Sequence, residues 1–179
     1  NALHWSVLTR QLPLIDRFVQ FGTPIDAQRA DGQTPLLVAV HGATDYWYRD
    51  TRSRSHPSLR NSSVLVGSLL AHGADYTISV AAAIGDQERA QELLKKDPGL
   101  ATRLDSALGN PLSHAAGEGH LHIVRLLLDH GADPNQPEAA APSGAALFSA
   151  CCGNHLQIAQ LLLERGANPN AGSDSNGCC

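Results

Sequence analysis

The 179-residue chain contains no methionine, and Phe, Trp and Tyr together supply only eight residues. Leu and Ala supply 25 each. A core of small and medium aliphatic side chains favours close-packed helices over an aromatic-rich β-sandwich. Charge is scarce too: 17% of the residues are Asp, Glu, Lys or Arg, and 13 basic against 17 acidic residues leave a net charge of -4. With no basic excess to offset a polyanion, generic nucleic-acid binding is excluded. Long apolar runs are also missing. None nears the roughly 20 residues that a membrane-spanning helix needs, and no charged-then-apolar leader opens the sequence. The four cysteines form two adjacent pairs, Cys151-Cys152 and Cys178-Cys179, and sequence neighbours rarely bridge because the ring is strained. Reduced thiols fit an intracellular setting, cytoplasmic or nuclear.

What the chain does contain is an internal repeat, and a repeat fixes the architecture before any single residue does. Residues 115–133 read AAGEGHLHIVRLLLDHGAD and residues 150–168 read ACCGNHLQIAQLLLERGAN, in register at an offset of 35. Each holds a short Ala-rich helix, a turn and a second helix closed by Gly. Leu121, Ile123, Val124, Leu127 and Leu128 form one apolar stripe, and Gly131 stands where a left-handed helix cap is wanted. AAAIGDQERAQELL at 81–94 is a third copy that ends in Asp97-Pro98-Gly99. A fourth is split into TPLLVAV at 34–40 and VLVGSLLAHGAD at 64–75, and a fifth runs from Ala2 to Gly22. Units of this length, each a helix pair, stack into a solenoid in which every unit contacts only its neighbours. Leu69-Leu70, Leu93-Leu94, Leu127-Leu128 and Leu162-Leu163 are expected to feed its core.

Thr34-Pro35-Leu36, Pro111-Leu112, Ala115-Ala116, Gly119-His120 and three Gly-Ala-Asp/Asn closures give the chain its resemblance to the ankyrin repeat. The resemblance implies an all-α ankyrin-repeat solenoid of about five helix-pair repeats with short β-hairpin fingers. As one domain over 1–179, the repeats fall near 1–30, 31–76 with an insertion at 42–60, 77–104, 105–139 and 140–179. The last runs on into Asp174-Ser175-Asn176-Gly177, which looks like the opening of a further unit, so the segment reads as excised from a longer protein and monomeric as a fragment. At the family's TPLH position only His4 matches. Leu37, Ser113 and Phe148 replace it, so the hydrogen bonds made there must be found elsewhere.

No catalytic, metal or cofactor constellation emerges. Nine histidines invite a metal reading, but there is no Cys-x-x-Cys or His-Glu-x-x-His spacing for a closed zinc site. His120 and His155 take the Gly-His turn position and read as structural. Cys151 falls at the second Ala of the AA pair, a packed position, while Cys152 lies one step on, where the family exposes variable residues. No Gly-x-x-x-x-Gly-Lys loop is present, so nucleotide binding has no support and a small-molecule ligand is not expected.

In proteins that resemble this one, the partner is a protein or peptide held by finger tips and by the variable residues that end each first helix. Carried over position by position, the tips include Arg29, Asp31, Gln33, Asp105, Ser106, Glu138 and Asp174, and the helix positions include His41, Glu118 and Cys152. Most of the carried-over positions are small, acidic or neutral, which favours a polar or basic partner segment. The 42–60 insertion differs. It carries Tyr46, Trp47 and Tyr48 with Arg49, Arg52, Arg54 and Arg60, and aromatic and Arg side chains dominate binding hot spots. Two readings stay open there: a second contact site for an acidic partner, built on Trp47 and arginines such as Arg49, or an extension of the first helix that packs on the neighbouring unit. The remaining alternative for the whole chain is a non-catalytic regulatory or spacer segment of a larger enzyme, kinase or channel.

Overall fold

The structure, a computed structural model, describes residues 2–41 (of His41, the backbone), 63–106, 109–138 and 144–170. Ten α-helices lie among them: α1 Ala2–Leu8, α2 Leu12–Gln20, α3 Pro35–His41, α4 Ser63–Ala71, α5 Ile78–Ile84, α6 Gln87–Lys96, α7 Pro111–Glu118, α8 Leu121–Asp129, α9 Ala146–Cys152 and α10 Leu156–Glu164. A 3₁₀ turn, Pro98–Thr102, follows α6. The chain divides into two compact units, 1–76 and 77–179.

In unit 1, α1 packs on α2 and α3, and α3 packs on α4. Leu3, Ile15, Leu36, Val38 and Leu69 form its fully buried centre. In unit 2 the first helices form a row, α5 on α7 and α7 on α9, while the second helices α6, α8 and α10 form another. Leu94, Leu112, Ile123, Leu127, Ile158 and Leu162 are its largest fully buried side chains. One leucine of each doublet is thus completely enclosed. Its companion is less buried, and Leu163 is left exposed on α10.

The helices are short because each is started and stopped locally. Asn110 caps α7 by accepting the Ser113 N–H at 2.8 Å, Thr77 caps α5 through the Val80 N–H, and Asp86 caps α6 through the Arg89 N–H. Pro111 and Pro35 open helices where a proline gives up no intrahelical bond. At the far end of the first helices the chain turns through a left-handed residue. Gly85 and Gly119 fill that place in two pairs, Arg10 (φ 56°) and Asn154 (φ 58°) in two others. In all four the next N–H reaches back five residues, to the carbonyls of Ser6, Ala81, Ala115 and Ala150. The turn is set by this bond and by packing, so Arg10 is held where an L side chain is strained.

The β-hairpin fingers implied by the family resemblance are not present: among the described residues there is no β-strand, and Glu138 alone has isolated bridge geometry. The connections are tight turns. One closes with the Arg29 N–H on the Gln33 carbonyl (3.0 Å), another with the Asp105 N–H on the Gly109 carbonyl (2.8 Å). Neither turn carries a second rung among the described residues. The 133–138 stretch DPNQPE also contains two prolines, which carry no N–H for a ladder.

Candidate functional site

The turn roots and first-helix ends are where sequence placed a binding face, and their chemistry is divided between packing and display. His4 of α1 is almost wholly buried, and its Nε2–H donates to the Gln33 carbonyl at 2.9 Å. Burial holds its imidazole below the usual histidine range. Gln33 is itself buried, its N–H donating to Asp31. Arg29 and Asp31 form a 3.4 Å ion pair, with Arg29 mostly covered and Asp31 exposed. Of the three unit 1 tips, then, Asp31 is the one held out to solvent.

Unit 2 replaces the buried histidine by another device. Ser113, at the position of His4, turns its hydroxyl back to the Asn110 carbonyl at 3.0 Å. Asn110 reaches the next turn instead: its Nδ2 donates to Glu138 Oε1 at 2.7 Å while its Oδ1 caps α7. Asp105 also points inward, its side chain only 5% exposed. It bonds His114 Nε2 through Oδ2 at 2.7 Å and the Gly109 N–H through Oδ1 at 3.0 Å. Burial raises the Glu138 carboxyl above the usual range, against lowering by Ser113, His114 and Asn110. Asp105 and Glu138 are therefore anchors of the turns. Ser106 is exposed, Glu118 half-buried, and Cys152 exposed. Asp174 and the whole 42–60 insertion, Trp47 and Arg49 included, lie outside the described residues, as does the side chain of His41.

Two sets of bonds tie one repeat to the next, and sequence reasoning did not find them. Asn135 Oδ1 accepts the Asn168 N–H at 2.7 Å and its Nδ2 donates to the Gly166 carbonyl at 2.9 Å. Asp26 does the same for the Asp75 N–H at 3.1 Å in unit 1. The residue following the second helix forms the other set. His72 pairs with Asp16 at 2.8 Å, and Arg165 pairs with Asp129 at 3.0 Å. The signal available in sequence was the recurrence of a polar Asx or basic residue at the same register in successive copies.

The histidines of the Gly-His turn act on the preceding pair. His120 Nε2 donates to the Ala83 carbonyl and His155 Nε2 to the Gly117 carbonyl, both at 3.2 Å. Their rings lie over Gly85 and Gly119. Cys151 differs from its expected place, being exposed like Cys152. Its counterparts Ala82 and Ala116 are fully buried, because α7 packs over α5 and α9 over α7. No helix pair beyond α10 is found among the described residues to cover α9 in the same way.

Helix pairs stacked within each unit and tied by repeated side-chain to backbone bonds define a stacked-repeat scaffold. The model of the family described as "Ankyrin repeats (3 copies)" matches residues 78–173, and the chain belongs to the ankyrin-repeat family. Ankyrin repeats are non-catalytic scaffolds that generally mediate protein–protein interactions. A probable E3 ubiquitin-protein ligase, XBOS33, from Oryza sativa subsp. japonica is 43% identical over 72 residues, which are 40% of this chain and 14% of that protein. The match therefore spans about one seventh of that relative. Among the described residues no helix is long and apolar enough to cross a membrane.

Proposed function

We propose that the chain binds a protein or peptide partner along the face that turn tips and first-helix ends form on each of its two units. Asp31, Ser106, Glu118 and Cys152 are the contact residues available among those described. The observation that carries this reading is the division of labour at the turns. Asp105, Asn110, Gln33 and Glu138 are turned inward to hold the scaffold, whereas Ser106 and Cys152 stay exposed. With the two unit 2 acids internally bonded, this face is less acidic than its sequence implies, and it suits a polar segment that is read by hydrogen bonding. Selecting peptides on the full chain and then measuring their affinity for S106W and E118R variants tests this. Loss of binding in both, with unchanged melting, is the expected result. Retained binding in both, with loss on substituting the exposed Val64 of α4, overturns it.

The relative's name supports a second reading, in which these repeats serve as the partner-recognition segment of a larger ubiquitin ligase. Fusing the chain in place of the matching stretch of that relative and following ubiquitylation of a selected, tethered peptide distinguishes this from a free-standing scaffold.

A further inference from the structure

In unit 1 the second helix pair sits on the first, and its contacts mark the side of a pair that faces the one before. α3 packs on α1, and His72, which follows α4, bonds back to Asp16 of α2 at 2.8 Å. The registers match directly, because α1 and α3 are both seven residues long and α2 and α4 both nine. Trp5 stands where Val38 does, Leu14 where Leu65 does, and Phe21 where His72 does. Val38 and Leu65 are enclosed, at 2% and 4% exposure, whereas Trp5, Leu14 and Phe21 are open at 56%, 42% and 81%. The same register in unit 2 confirms the direction. Ser149, the counterpart of Val38, has its β-carbon 3.4 Å from where one on Gly117, in the preceding first helix, would stand.

We propose that this outer side of α1 and α2 is a docking surface for an amphipathic helix of a partner protein, one whose apolar stripe is flanked by Asp or Glu. A helix fits because helices fill the same side of the second pair, where α3 rests on α1. The apolar stripe answers Trp5 and the run Leu14, Phe18 and Phe21, which follows one side of α2 at a helical spacing. Acidic flanks answer Arg10 and Arg17, both exposed. Arg17 lies between Leu14 and Phe21 on the helix surface. Asp16 is the one acid in residues 2–22, and it is paired with His72. A further pair of this repeat type is a poorer match. At this register such pairs are tied by a base-to-acid contact, His72 to Asp16 and, in unit 2, Arg165 to Asp129. Phe21 replaces the base with an aromatic ring, a type enriched at binding hot spots along with tryptophan and arginine. The surface uses none of the residues proposed for the turn-tip face, so it is a second, separate site.

Trp5 supplies the readout. In a W47F background of the full chain it is the sole tryptophan, and its emission reports on this surface alone. The probe is a helical peptide of about four turns with leucines at i, i+4, i+7 and i+11 and glutamates on both flanks; its mate carries lysines in place of the glutamates. The acidic peptide is expected to shift Trp5 emission to the blue and to bind at least about tenfold more tightly than the basic one, a preference that added salt reduces. F21E is expected to weaken binding by more than about tenfold, and R17E to abolish the preference for the acidic peptide. Both side chains are exposed, so melting is expected to stay unchanged in both variants. Equal affinity for the two peptides, binding of neither, or binding that survives F21E overturns the proposal. A dimer of the chain, seen by sedimentation without peptide and dissolved by F21E, gives the surface to a second copy and overturns it too. S106W and E118R are expected to leave this binding intact, so the turn-tip reading and this one fail separately.

Discussion

His155 lies so close over Gly119 that a β-carbon on the glycine would be 2.5 Å from the imidazole Cε1. The ring is fixed there by its 3.2 Å bond to the Gly117 carbonyl. Gly119 therefore meets two demands at once, a left-handed backbone at φ +86° and room for the ring of the next repeat. His120 over Gly85 repeats the arrangement one unit earlier, at 2.7 Å.

This pairing separates two effects that Gly→Ala usually mixes. Gly131 has the same φ of +86° with nothing within 4 Å of an added β-carbon. G131A should lose about 1–2 kcal/mol from the backbone alone. G119A should lose about 1 kcal/mol more, as the His155 hydrogen bond is displaced. Urea unfolding of the two variants measures the difference; equal losses would mean that the ring yields without consequence.

Leu127 is fully enclosed in α8. L127A should lower stability by about 2–5 kcal/mol through lost burial and the cavity left behind. L163A, on the exposed companion of the enclosed Leu162 in α10, should fall within about 0.5 kcal/mol of wild type. Chemical denaturation monitored by helical circular dichroism gives both values.

His4 predicts the acid response of unit 1. Its folded value is lowered from 6.5 by burial, so the unfolded chain takes up the proton more readily. The stability it contributes is present above 6.5 and is lost as pH falls through the lower folded value. Both tryptophans, Trp5 and Trp47, lie within residues 1–76, so tryptophan emission on denaturation follows this part of the chain. Wild type should weaken between neutral and mildly acidic pH, and H4N should show a smaller slope.

Cys151 and Cys152 are both exposed. Iodoacetamide under native conditions should label both, as read by peptide mass spectrometry, at rates within about tenfold of each other. Labelling of Cys152 alone would mean that the alanine-like position of Cys151 is covered after all.

The sequence by itself determined the repeat, its helix pairs and the identity of the family. These depend on local properties: an apolar spacing that places Ile123, Val124 and Leu127 on one side of a helix, and glycines such as Gly131 that stop it. Such signals need only a few neighbouring residues, so they can be read without knowing what packs against them. Only the tertiary structure decided where each repeated position faces. Cys151 and Ala116 share a register, yet one is exposed and the other enclosed, because enclosure comes from the next helix pair. Arg10 occupies a glycine position because its turn is held by the Gln11 N–H on the Ser6 carbonyl at 2.8 Å. Asp105 and Glu138 read as displayed acids in sequence but turn inward, because His114 and Asn110, 9 and 28 residues away, offer them partners at 2.7 Å. A carboxylate goes where its hydrogen bonds are, and those distances exist only once the chain is folded.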